Sequence, residues 1–162
     1  MTLATHKIPE LDGLEVPGDK LFVITQEELS GFCEYWQKSL NLGEWRIFAK
    51  FVPYSELCKS SKSSCSGDVN WMHEQRFANI RIVRAEDREQ LNSSAYFAYD
   101  AEAILVHELL HLKFVDWESA SIESPGYHIG VQEERAINDL AGALVRLRRM
   151  GNSDQIPGDT TG

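Results

Sequence analysis

The run AILVHELLHLKF, residues 103–114, constrains this chain more than any other stretch. Ile104, Leu105, Val106, Leu109, Leu110, Leu112, Phe114 and Val115 leave no polar side on an α-helix, so the rest of the chain must wrap this helix all round. A chain of 162 residues has room for one such core, which sets a single domain. Yet His107, Glu108 and His111, all costly to bury, stand inside the run. Residues four apart on a helix project from one face, so His107 and His111 can offer two imidazoles to one ion, with Glu108 one step round. A divalent cation gives both imidazole lone pairs a partner and compensates the carboxylate. Taken singly, either histidine reads as a core residue bonded to backbone. Together the three form H-E-x-x-H, in which the histidines bind zinc and the glutamate is the general base.

The elements around this helix follow from local signals. Thr25 and Glu28 make a capping box, and the helix after it carries Leu29, Phe32 or Cys33, Trp36 and Leu40 on one stripe until Asn41 and Gly43 end it. WRIFAKFV, 45–52, alternates and predicts a half-buried strand, and 71–83 predicts one or two more. Residues 58–68 predict a mobile loop, and 84–94 a polar connection. Asp100 caps the central helix, with Glu102 in its positive first turn, and that helix runs to about Val115. A loop is expected over 116–130 and a last helix over 131–150, with Arg146, Arg148 and Arg149 at its negative end and Gly151 as its stop. Residues 1–20 are expected to be an extended lead-in, 21–151 the domain and 152–162 a disordered tail. Strands and helices are segregated, so the fold class is α+β.

The formal net charge of −9 argues against a nucleic-acid backbone as a direct partner. No stretch has the eighteen apolar residues of a membrane span, and the first residues lack a signal peptide's basic start and apolar core. Cys33, Cys58 and Cys65 are too few for a disulfide framework. The expectation is a cytoplasmic protein without a membrane partner. Without a C-x-x-C pair, His73, Cys58 and Cys65 do not make a second metal site, and a Cys58–Cys65 disulfide is unneeded in a reducing cell.

A catalytic zinc site wants three protein ligands and an open position. The extended pattern H-E-x-x-H-x-x-G-x-x-H fails, because positions 114 and 117 are Phe114 and Trp117. Asp116, Glu118 and Glu123 fall in the expected loop, with no helix to position them. In EERAINDLAGALV the last helix has an apolar stripe through Ile137, Leu140, Ala141 and Leu144, and Glu133 and Glu134 flank it about equally. Glu134 is preferred because Asn138 then falls one turn on, where it can hydrogen-bond a metal-bound histidine. His128, in GYHIG, is the other candidate ligand, and Tyr127 or His128 could instead donate to an oxyanion.

VHELLHL and EERAINDLA, with LGEWRI before the first strand, resemble the zincins. More narrowly they resemble small intracellular gluzincin-like proteins of bacteria and their phages, the ImmA/IrrE-type metallopeptidases. The resemblance spans roughly residues 40–145. It implies a small twisted β-sheet packed on a buried active-site helix, with a C-terminal helix following. It implies Zn2+ held by His107, His111 and Glu134, with Glu108 as the base and a protein or peptide as substrate. In such folds a peptide commonly pairs with an edge strand, for which the strand near 77–83 is the candidate. Thermolysin-like enzymes place an aspartate one turn after their ligand glutamate; here Asn138 stands there, with Asp139 next. A more distant resemblance is to SprT-like proteases, whose third ligand is a histidine soon after the motif; GYHIG matches their Gly-His-Gly pattern in part. The rival expectation is a non-catalytic, metal-stabilised interaction module of phage or prophage origin, in which the same ligands serve folding. Retention of Glu108 favours catalysis, because a purely structural site has no use for a base.

Overall fold

A computed structural model describes residues 22–57, 66–90, 99–120 and 127–153. The expected lead-in, the loop cysteines Cys58 and Cys65, Glu123 and the tail beyond 153 lie outside these residues, as do the side chains of Asp116, Glu118, Tyr127 and His128.

Helix α1 is Gln26–Ser39. Its capping box forms as expected: the Glu28 amide donates to Thr25 Oγ1, and the Thr25 amide donates to Glu28 Oε2 at 2.7 Å. Leu29, Cys33 and Trp36 are its buried stripe, so Cys33 rather than Phe32 takes the deep position. Asn41 adopts a left-handed φ of 54° just past the helix, a conformation that asparagine tolerates better than most residues.

Three strands form a mixed sheet in the order β1-β3-β2: β1 is Arg46–Val52, β2 Gly67–Met72 and β3 Phe77–Val83. β1 runs parallel to β3, with Ala49 opposite Ile80, and β2 runs antiparallel, with Gly67 opposite Ile82. β3 is therefore the central strand, which corrects the expectation that 77–83 is an edge. Its burial shows why: Ala78, Ile80, Ile82 and Val83 are fully enclosed, as suits a strand paired on both sides. Among the described residues β2 is the edge strand on that side, and it begins at Gly67, inside the stretch expected to be a loop. Short helix α2, Tyr54–Leu57, and 3-10 turns at His73–Gln75 and Ala85–Gln90 complete the connections.

Helix α3, Ala101–Ala120, runs a turn beyond the expected end, and α4 runs Tyr127–Ser153. Much of the expected 116–130 loop is thus helical, and Gly151 does not stop α4. α3 lies against α1, β2, β3 and α4. This explains its apolar circumference: Leu105, Val106, Leu109, Leu110, Leu112 and Val115 are each buried, facing different neighbours. The fold class is α+β, as expected, with the sheet on one side of α3 and α4 on another.

The ends of α3 and α4 are tied by charge. Glu102, wholly buried in the first turn of α3, accepts from Trp36 Nε1 of α1 at 2.9 Å and from Arg148 Nη2 of α4 at 2.7 Å. Arg149 bridges Glu102 and Asp100, and Asp100 also caps α3 through the Ala103 amide. Arg148 and Arg149 are therefore partners of α3 rather than only complements to the negative end of α4. Because this contact joins the start of α3 to the end of α4, the two helices run antiparallel. The first third of α4 then falls beside the middle of α3, where His107 and His111 stand.

Candidate metal centre

One turn of α3 separates His107 from His111, and their Nε2 atoms face each other at 3.0 Å. Together with Glu108, each can place one ligand atom within 4.8 Å of the others. Across from them on α4, Glu134 Oε2 lies 3.4 Å from His107 Nε2, and Oε1 lies 3.3 Å from His111 Nε2. The carboxylate is half exposed while the imidazoles are largely enclosed, so the group opens to solvent on its Glu134 side. Glu133 is close enough to act on the charge of His111 but makes no described contact with either ring. His73 is elsewhere, packed edge-on to Trp45.

That Glu134 rather than Glu133 reaches the two imidazoles follows from how α4 seats on α3. Ile137, Ala141 and Val145 are its buried line, whereas Leu140 is exposed and Leu144 only half-buried. This corrects the expected stripe through Leu140 and Leu144. At about 100° per residue, Glu134 falls within about 20° of both Ala141 and Val145, while Glu133 is about 80° or more away from them. Val145 was the signal that could have separated the two glutamates.

The charges of His107, Glu108, His111 and Glu134 act on one another. Burial works to lower the His107 pKa, but the Glu134 carboxylate, Glu108 and the Asn138 side chain together raise it above its ordinary value. His111 is lowered by burial and by its neighbour His107. The bond to His107 holds Glu134 below the usual carboxylate range. Glu108 is buried, and that burial, reinforced by the negative charges of Asp68 and Glu134, pushes it up to about 7 against the opposing pull of His107. Asn138 thus lies beside His107, but it does not satisfy Nδ1, which is buried without a partner among the described residues. The carboxylate or carbonyl that usually orients a ligating histidine is not found there.

The donor set fits a metal ion. Ligands at about 2.0–2.1 Å around a tetrahedral ion lie about 3.3–3.4 Å apart along each edge. The separations here, 3.0, 3.3 and 3.4 Å, are close to that edge, and they come from two imidazoles and one carboxylate.

Two residues beside Glu108 carried no signal in the sequence. Gly67, the first residue of β2, stands directly against its carboxylate, and Asp68 follows, ion-paired to Arg81 of β3. No protein-family model, no curated protein and no solved structure matches the chain. No helix among the described residues is long and apolar enough to cross a membrane.

Proposed function

We propose that the chain is a zinc-dependent metallopeptidase that hydrolyses a peptide bond in a protein substrate. The observation that carries this reading is the placement of Glu134 over the facing Nε2 atoms of His107 and His111, with the buried Glu108 alongside. In this reading His107, His111 and Glu134 hold the ion, and one coordination position is left for water or substrate. Bound zinc would supply Lewis acidity toward the scissile carbonyl and lower the pKa of water at the site. Glu108 takes a proton from the attacking water and returns it to the leaving amine, a role suited to a carboxyl group tuned toward neutrality. The half-exposed flank of Glu134 gives access. A peptide adds to the edge of β2 left unpaired among the described residues, rather than to β3. Two imidazoles and a carboxylate also serve iron(II). The buried Glu108 beside them favours hydrolysis, which needs a base.

Metal analysis of the purified chain and five variants tests this. We expect one zinc per chain, loss of zinc in His107→Ala, His111→Ala and Glu134→Ala, and retention in Glu133→Ala. Glu108→Gln should keep zinc and lose cleavage of a mixed pool of internally quenched peptides. Cleavage by Glu108→Gln at the wild-type rate would remove Glu108 from its role. Stoichiometric zinc without cleavage of any peptide by the wild-type chain would favour the non-catalytic module.

A further inference from the structure

Gly67, at the start of the edge strand, stands against the proposed base. A Cβ placed on it would lie 2.9 Å from Glu108 Oε1, 2.7 Å from Ile104 Cγ2 and 3.3 Å from the Arg81 carbonyl. The first two separations are shorter than side chains tolerate. The missing side chain leaves a notch in the inner face of β2, and the Glu108 carboxylate and the Ile104 methyl fill it. Both come from the same face of α3, four residues apart. Gly67 has no left-handed φ, so close approach is what calls for glycine here.

We infer that Gly67 is a positioning residue for Glu108: the bare strand backbone lets the carboxylate stand between β2 and the His107–His111 pair. This rests on the proposed peptidase reading. The notch decides where the carboxylate sits because the other ways out are closed. Glu108 is buried, Leu105, Leu109 and Leu112 pack the helix around it, and Asp68 and Glu134 repel it on either side. A methyl group at 67 requires Oε1 to retreat by about half an ångström to regain ordinary contact at 3.4 Å. Any such retreat moves the base relative to the imidazoles and to the water it must deprotonate. Misplacement of a catalytic group on that scale costs up to about 100-fold in rate.

The test uses the full chain with Gly67→Ala, Ile104→Ala and the pair together. Zinc content should equal wild type in all three, because the ligands stand on α3 and α4. With the quenched-peptide pool, Gly67→Ala should lose about 100-fold in kcat while KM stays within about twofold, since the substrate edge is intact. Ile104→Ala removes the closer clash, so the double variant should regain stability over Gly67→Ala without regaining kcat. That split is what a merely structural glycine would not give. Wild-type kcat in Gly67→Ala overturns the inference, and so does recovery of kcat in the double variant. A double variant no more stable than Gly67→Ala means that these side chains do not fill the notch, and overturns it as well. If the wild-type chain cleaves no peptide, the peptidase reading fails, and the crystal structure of zinc-loaded Gly67→Ala judges the positioning alone. A displaced Glu108 carboxylate supports it; a carboxylate left in place with β2 shifted overturns it.

Discussion

Replacing Glu102 with alanine should be the most damaging single change outside the metal centre. Its carboxylate is wholly enclosed and accepts from three side chains, those of Trp36, Arg148 and Arg149. Removing one partner from a buried ion pair costs about 3–5 kcal/mol, because the remaining charge loses its solvation twice over. Arg149 is about a third exposed and keeps Asp100, so it recovers much of its loss, and its share is discounted. Arg148, 14% exposed, and the Trp36 indole N–H have less recourse. The expected cost is about 4 kcal/mol, a large fraction of the roughly 5–15 kcal/mol that holds a domain together. Glu102→Gln keeps the shape and an acceptor for Trp36 but turns charge-assisted bonds into neutral ones, roughly halving their strength, so about 2 kcal/mol is expected. Urea denaturation at pH 7, followed by far-ultraviolet circular dichroism with chelator present, reads both values. A cost under about 1 kcal/mol for Glu102→Ala, or equal costs for the two variants, would refute the reasoning.

Two further outcomes follow from the site. Zinc at about 100 times its dissociation constant should stabilise the chain by about 2.7 kcal/mol, seen as a rise in Tm that chelator reverses and that His111→Ala abolishes. In the metal-free protein, Glu108 holds its proton up to about 7 when folded but only to about 4.5 when unfolded. The folded state therefore binds more protons between these values, and stability falls as pH rises through that window, by about 3 kcal/mol at about 1.4 kcal/mol per pH unit. Urea midpoints from pH 4.5 to 7.5 in wild type and Glu108→Gln isolate this contribution; parallel profiles would exclude it.

The helix at the centre was legible because its signal is redundant. Eight apolar residues on all sides call for burial, and three polar groups within two turns of them mark a candidate site. The capping box and the alternation of β1 are similarly local. The seating of α4 was not legible, because it depends on whether Leu144 or Val145 faces the core. Both are apolar, and one step rotates the helix enough to exchange Glu133 for Glu134. The tie between Glu102 and Arg148 was hidden for another reason. An acid in a first turn and arginines in a last turn are already accounted for by the helix dipole, so nothing in the sequence asks for a partner 46 residues away. β2 was missed at its start because Gly67, Asp68 and Asn70 are poor strand formers and Val69 stands alone among them.

That same poverty has a use. A strand edge offered to the proposed peptide would be as open to another copy of its own chain, and an unguarded edge invites assembly into stacked sheets. A sequence rich in valine and isoleucine would make GDVNWM a better strand and a stickier one. Asp68 puts a charge on it, and Gly67 and Asn70 lower its appetite for pairing. An edge of this composition has little drive to pair with its own copy, which is what the proposed peptide site requires.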